Sequence, residues 1–206
     1  MMRRLAQLYV GLVLYGASMA LMVRASLGLD PGDVLHQGLA ERVPLSFGEV
    51  TIVVGALVLL AWIPLRQWPG FGTVSNVVVI GIAVDATLAA LPAPDAMPLR
   101  IGFMLAGVGL NGVASAAYIG ARLGPGPRDG LMTGLVRRTG RSVRLVRTSI
   151  EVTVLVAGWL LGGTVGVGTV VYALAIGPLV HVLLPPLTVP VRTRQPAPGE
   201  ALGAEC

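Results

Sequence analysis

A chain of 206 residues that is 54% hydrophobic and only 12% charged carries too little charge to clothe a water-facing surface, for which about 25% is usual. Its mean hydropathy of +0.80, with apolar runs near the ~20 residues that cross hydrocarbon, points to a polytopic helical membrane protein. The net charge of +5 rests on arginine alone, for there is no lysine. Basic residues of a membrane protein set its topology, so nucleic-acid binding is set aside.

Arg3 and Arg4 precede an apolar run over 5–23. That run exceeds a 7–15-residue signal-peptide core and has an internal counterpart, so it reads as a retained first span. Gly28-Leu29-Asp30-Pro31-Gly32-Asp33 then breaks the pattern, and a short helix is expected over 33–42. Spans over 47–63 and 73–91 follow, separated by Pro64 and Trp68-Pro69-Gly70 and ended by Pro92-Ala93-Pro94-Asp95. The second half repeats the order: a span over 101–119, the break Gly124-Pro125-Gly126-Pro127-Arg128-Asp129, a short helix over 129–138, then spans over 143–161 and 169–187. From 189 to Cys206 the chain is polar and Pro-rich, and disorder is expected.

The likeness of the halves is a duplication. Residues 4–91 align with 100–187 without a gap, 29 of 88 positions being identical, among them Gly28/Gly124, Pro31/Pro127 and Asp33/Asp129. Three units follow: a first three-span repeat at 1–98, a second at 99–188, and a tail at 189–206. An odd number of spans per repeat inverts the second one. With both termini cytoplasmic, twelve arginines fall on inside segments and three (Arg24, Arg42, Arg100) outside, as the positive-inside rule requires. The expectation is an all-α protein of six spans, a 3+3 inverted-topology repeat, with an interfacial or re-entrant short helix after the first span of each repeat.

Ala25-x-Leu27-Gly28-x-x-Pro31-x-Asp33, Gly124-x-Gly126-Pro127-Arg128-Asp129, Arg147-x-x-x-Glu151 and Trp159-Leu160-Leu161-Gly162-Gly163 resemble the YczE-like family of small bacterial integral membrane proteins, related in turn to YitT-type ones. The resemblance covers residues 3–187. It implies residence in the bacterial plasma membrane and no established activity. Gly32 departs from it, since the family commonly has tryptophan there.

Irregular backbone at membrane depth survives beside a cavity or inside protein, so the two motifs (Gly28, Pro31, Gly124, Gly126, Pro127) mark the candidate centre. Asp33 and Asp129 follow the prolines and read either as acids at helix N-termini or as groups on a substrate or ion path. Arg128 beside Asp129 suggests that Asp129 is the ion-paired anchor and Asp33 the free, working carboxylate. Asp85 and its counterpart His181 lie within spans, where an ionisable group costs about 2.5–3.5 kcal/mol and faces protein or water. Asn76, which aligns with Tyr172, and Asn111, which aligns with Tyr15, can hydrogen-bond between helices. Arg147 and Glu151, four apart, form a structural ion pair or a gate at a cavity mouth. Arg128, Arg137, Arg138, Arg141 and Arg144 belong to a basic loop over 122–147, suited to anionic lipid headgroups at the cytoplasmic face. Gly158, Gly162 and Gly166, like Gly130 and Gly134, permit close helix approach, within the chain or in a homodimer. One cysteine and two distant histidines give no metal or cofactor motif, and no enzyme motif is present. The functional expectation is a small transporter or permease-like protein moving a small solute or ion. The alternative is an accessory or regulatory protein docking a cytoplasmic partner through its basic loop.

Overall fold

A computed structural model of the chain describes residues 1–189; the tail for which disorder was expected, with Arg192, Arg194 and Cys206, lies outside the described residues. Among the described residues there are eight helices and no strand: α1 (Met2–Ala25), α2 (Pro31–Ala40), α3 (Phe47–Trp62), α4 (Phe71–Ala90), α5 (Met97–Gly120), α6 (Pro127–Thr139), α7 (Val143–Leu160) and α8 (Val167–Leu187). The short helices begin two residues earlier than expected. Pro31 and Pro127 take the first helical position, where the missing N–H costs nothing and the fixed φ suits the helix. Local chemistry sets other ends as well. Ser46 and Glu49 form a capping box that starts α3, Ser142 caps α7, and Gly140 closes α6 in the left-handed region at φ 66°.

Four helices, α1, α4, α5 and α8, are long and apolar enough to cross a membrane, against six expected spans. The other two fall short for separate reasons. Helix α3 is apolar but has 16 residues, and α7 has 18 but carries Arg144, Arg147 and Glu151 in its first half. Large apolar side chains such as Leu57, Val170, Leu174 and Val182 are exposed on the outer faces.

Helices α1 and α5 run antiparallel in the middle of the bundle. A Cβ at Gly11 would meet the Tyr118 nitrogen at 2.9 Å, and one at Gly107 would meet Met22 Cγ at 2.7 Å. Helix α4 packs on α1 and α8 on α5. Leu8, Leu12, Met19, Ile80 and Val84 form one buried cluster, and Met22, Leu29, Val34, Val108 and Tyr172 a second. The short helices cross between the halves: α2 packs on α7, where a Cβ at Gly38 would meet the Gly158 carbonyl at 2.5 Å, and α6 packs on α3. Gly158, Gly130 and Gly134 thus serve packing within the chain, the latter two against Trp62 and Leu65. Gly166 lies against the Leu27 carbonyl, while Gly162 makes a turn at φ 103°.

Residues 96 apart make matching bonds. Arg4 donates to the Ala121 carbonyl and Arg100 to that of Ala25, both at 2.8 Å. Arg42 donates to the Leu160 carbonyl at 3.3 Å and Arg138 to that of Pro64 at 3.0 Å. The Gly72 N–H bonds the Leu123 carbonyl at 2.9 Å, and the Gly168 N–H bonds that of Leu27 at 2.7 Å.

Candidate functional site

The Gly/Pro motifs bring the N-termini of α2 and α6 to one interior cavity of about 440 Å³. Asp30, not Asp33, caps α2, accepting the Asp33 N–H at 2.7 Å. The aligned position before α6 is Gly126, which offers no side-chain cap. A second exchange complements the first. Arg128 stands where the first motif has Gly32, and its guanidinium reaches across to Asp30 at 3.8 Å. It occupies the space a side chain at position 32 would need.

This geometry reverses the expectation for the two aspartates. Asp33, buried, pairs with His36 Nδ1 at 3.3 Å. Asp129, by contrast, has no cation within ion-pair distance among the described residues, because Arg128 has turned to Asp30. Its side-chain partner among them is the Tyr118 hydroxyl, donating at 3.4 Å. Asp129 is therefore the carboxylate without a counter-charge among the described residues.

Asp33, Asp129 and Asn76 line the cavity with Tyr15, Tyr118 and Tyr172. Asn111 accepts from the Tyr172 hydroxyl at 3.1 Å and donates to the Ser18 hydroxyl at 2.9 Å. The equivalent bond between Tyr15 and Asn76 is not made. Asn76, 8% exposed, has no hydrogen bond among the described residues.

Asp85 and His181 do not line this cavity. Asp85 accepts the Gly48 N–H at 2.8 Å and the Ser46 hydroxyl, tying the start of α3 to α4, which is how an acid within that span is satisfied. His181 is exposed on α8. Arg147 and Glu151 are paired at 3.0 Å at the cavity rim, with side chains 58% and 33% exposed. The expected basic loop is largely helix, with Arg137 and Arg138 ending α6, Arg144 and Arg147 opening α7, and Arg141 in the turn between. All five are exposed, whereas Arg128 lines the cavity with its side chain 43% exposed.

Among the helices that line the cavity, one pair stays apart. Helix α3 closes on α4, but α7 and α8 have no comparable packing. The sequence contains the cause. Gly48 and Gly55 let α3 approach: a Cβ at the first would collide with the Gly81 carbonyl, and one at the second would meet Val77 Cγ1 at 2.9 Å. Their counterparts on α7 are Arg144 and Glu151. Gly177, the counterpart of Gly81, has no neighbour within 4 Å of a built Cβ, and it lines the cavity beside Ile176 and Val180.

Sequence reasoning missed Asp30, His36 and the Asp30–Arg128 pair. The available signal was reciprocal: a Gly/Asp exchange at one motif position and a Gly/Arg exchange two positions on.

Apolar outer faces around a polar, charged interior define a small helical membrane protein. The comparisons with known proteins fit that class. A model of a family of unknown function, DUF6198, matches residues 2–185, and the chain belongs to that family. An uncharacterised protein of Haemophilus influenzae is 39% identical over 177 residues, 86% of this chain and 81% of that one. The uncharacterised membrane protein YczE of Bacillus subtilis is 34% identical over 179 residues, covering 86% and 83%. The uncharacterised YyaS of the same organism is 23% identical over 180 residues, covering 85% and 90%. These similarities carry the YczE-like resemblance and no link to YitT-type proteins. No solved structure matches.

Proposed function

We propose that the chain is a six-span membrane protein of 3+3 inverted topology in which α2 and α6 are re-entrant, and that it binds and passes a small solute through the central cavity. The observation that carries this reading is that both Gly/Pro motifs line one cavity, each with a helix N-terminus at its edge. Paired broken elements from two inverted repeats are how secondary transporters build a midplane site. The antiparallel central pair and the matched bonds 96 residues apart support the inversion. A volume of about 440 Å³ suits a small solute. The short α3 and the charged α7 are accommodated if α3 crosses where α2 and α6 thin the bundle, and if the start of α7 lies at headgroup level.

On this reading the termini are cytoplasmic and the protein resides in the bacterial plasma membrane, with exposed Arg137, Arg138, Arg141 and Arg144 against anionic headgroups. Its work is binding and passage, not catalysis. The test is accessibility from each side of the membrane. In a Cys206→Ser background, cysteines at Asn76 and Val54 should react with a membrane-impermeant thiol reagent. Adding Gly177→Leu should suppress that labelling by filling the seam. Failure of both cysteines to label from either side would remove the solute path. Reporter fusions after Arg42 and Arg138 should lie on opposite sides; fusions on one side would end the inverted-repeat reading.

A further inference from the structure

The cavity combines an acidic depth with an apolar mouth. Asp30, Asp33 and Asp129 are set against Arg128 and His36, while Arg147 and Glu151 neutralise each other at the rim. The cations inside are engaged. Arg128 serves Asp30, and the His36 imidazole lies against Asp33. An anion at Arg128 would be placed among carboxylates, at a cost that grows in a low dielectric. A cation faces the opposite situation at Asp129, which is held by one 3.4 Å hydroxyl contact. The rings of Tyr15 and Tyr118, set edge to face with centroids 6.1 Å apart, add π surface beside that carboxylate.

Asn76 supplies a separate observation. It is buried, lines the cavity and is unpartnered among the described residues, although its symmetry mate position, Tyr172, is bonded to Asn111. An amide that faces the cavity without a protein partner keeps its carbonyl available, and a ligand N–H can take the place of water there. The mouth between α7 and α8 is apolar beyond the Arg147–Glu151 pair, being formed by Ile150 and Val154 on one side and Ile176 and Val180 on the other.

We propose that this cavity takes a small organic ammonium ion bearing an apolar group, with its charge on Asp129, an N–H on the Asn76 carbonyl, and its apolar part in the open α7–α8 seam. The proposal rests on the reading of the cavity as a solute site and specifies the solute's class. Its test uses two probes of matched shape, phenethylammonium and 3-phenylpropanoate, titrated calorimetrically into the full-length protein in detergent, with the unfolding temperature of each variant as a folding control. Phenethylammonium should bind and 3-phenylpropanoate should not. Asp129→Asn should weaken binding by at least about tenfold, as loss of a charged hydrogen bond implies. Asp129→Glu should retain part of it, and Gly177→Leu should abolish it. Where Asp129→Asn does not fold, Asn76→Ala gives the same test outside the helix start. Binding of 3-phenylpropanoate in place of the amine, lost on Gly177→Leu, would overturn the cation and leave the solute site standing. No binding of either probe would overturn both. Amine binding unchanged by Asp129→Asn and Gly177→Leu would be partition into detergent, and would overturn the proposal as well.

Discussion

The α3–α4 seam and the α7–α8 seam descend from one sequence, and only the first is closed. Glycine at 48, 55 and 81 brings backbones together in the first half, and Asp85 fastens the top of α3 through the Gly48 N–H. In the second half, arginine and glutamate replace two of those glycines, histidine replaces the aspartate, and the helices stand apart. Two glycines related by duplication therefore have opposite roles. Gly81 is required by contact, while Gly177 borders open space. The comparison teaches that the opening is encoded by large charged residues at close-packing positions, not by a weaker helix.

The largest effect expected from breaking this contrast is at Gly81. A side chain there would meet Ile52 and, at 2.7 Å, the Gly48 carbonyl, so Gly81→Leu should cost about 1–3 kcal/mol or more through overpacking. A thermal unfolding scan in detergent should show a clear loss. Gly177→Leu should cost less than Gly81→Leu, because no packed neighbour is displaced and the added strain is confined to a Cβ placed before Pro178 in the helix. Equal losses in the two variants would end the distinction between the seams.

The smallest effect is at the rim. Arg147 and Glu151 are partly exposed, and an (i, i+4) pair is worth about 0.2–0.5 kcal/mol. Glu151→Gln followed by Arg147→Gln should show a coupling of that size in a double-mutant cycle, and strictly additive losses would mean that the pair is idle.

Much of this was legible in the residues. The duplication, the break points and the helices were readable because Gly/Pro turns and apolar period are local signals. The placement of Asp33, Asp129 and Asn76 at a common cavity follows from the motifs that carry or neighbour them. The roles of the two aspartates were not legible, because sequence adjacency suggested that Arg128 serves Asp129. A long guanidinium reaches across space instead, and it found Asp30, a residue 98 positions away. Asp85 was misleading for a related reason: an acid inside an apolar span signals that it is satisfied, without saying whether by a ligand or by the next helix's first N–H groups.

The crossed pair of Asp30 and Arg128 has a consequence for ancestry. A protein assembled from two copies of the first half would bring four buried aspartates, Asp30 and Asp33 twice over, to the centre and no guanidinium, since Gly32 would stand in for Arg128. Two copies of the second half would bring two guanidinium groups and no carboxylate at the Gly126 positions. Each half now carries the counter-charge of the other, so the halves have ceased to be interchangeable parts. The duplicated chain is committed to remaining a single, fused pseudo-heterodimer.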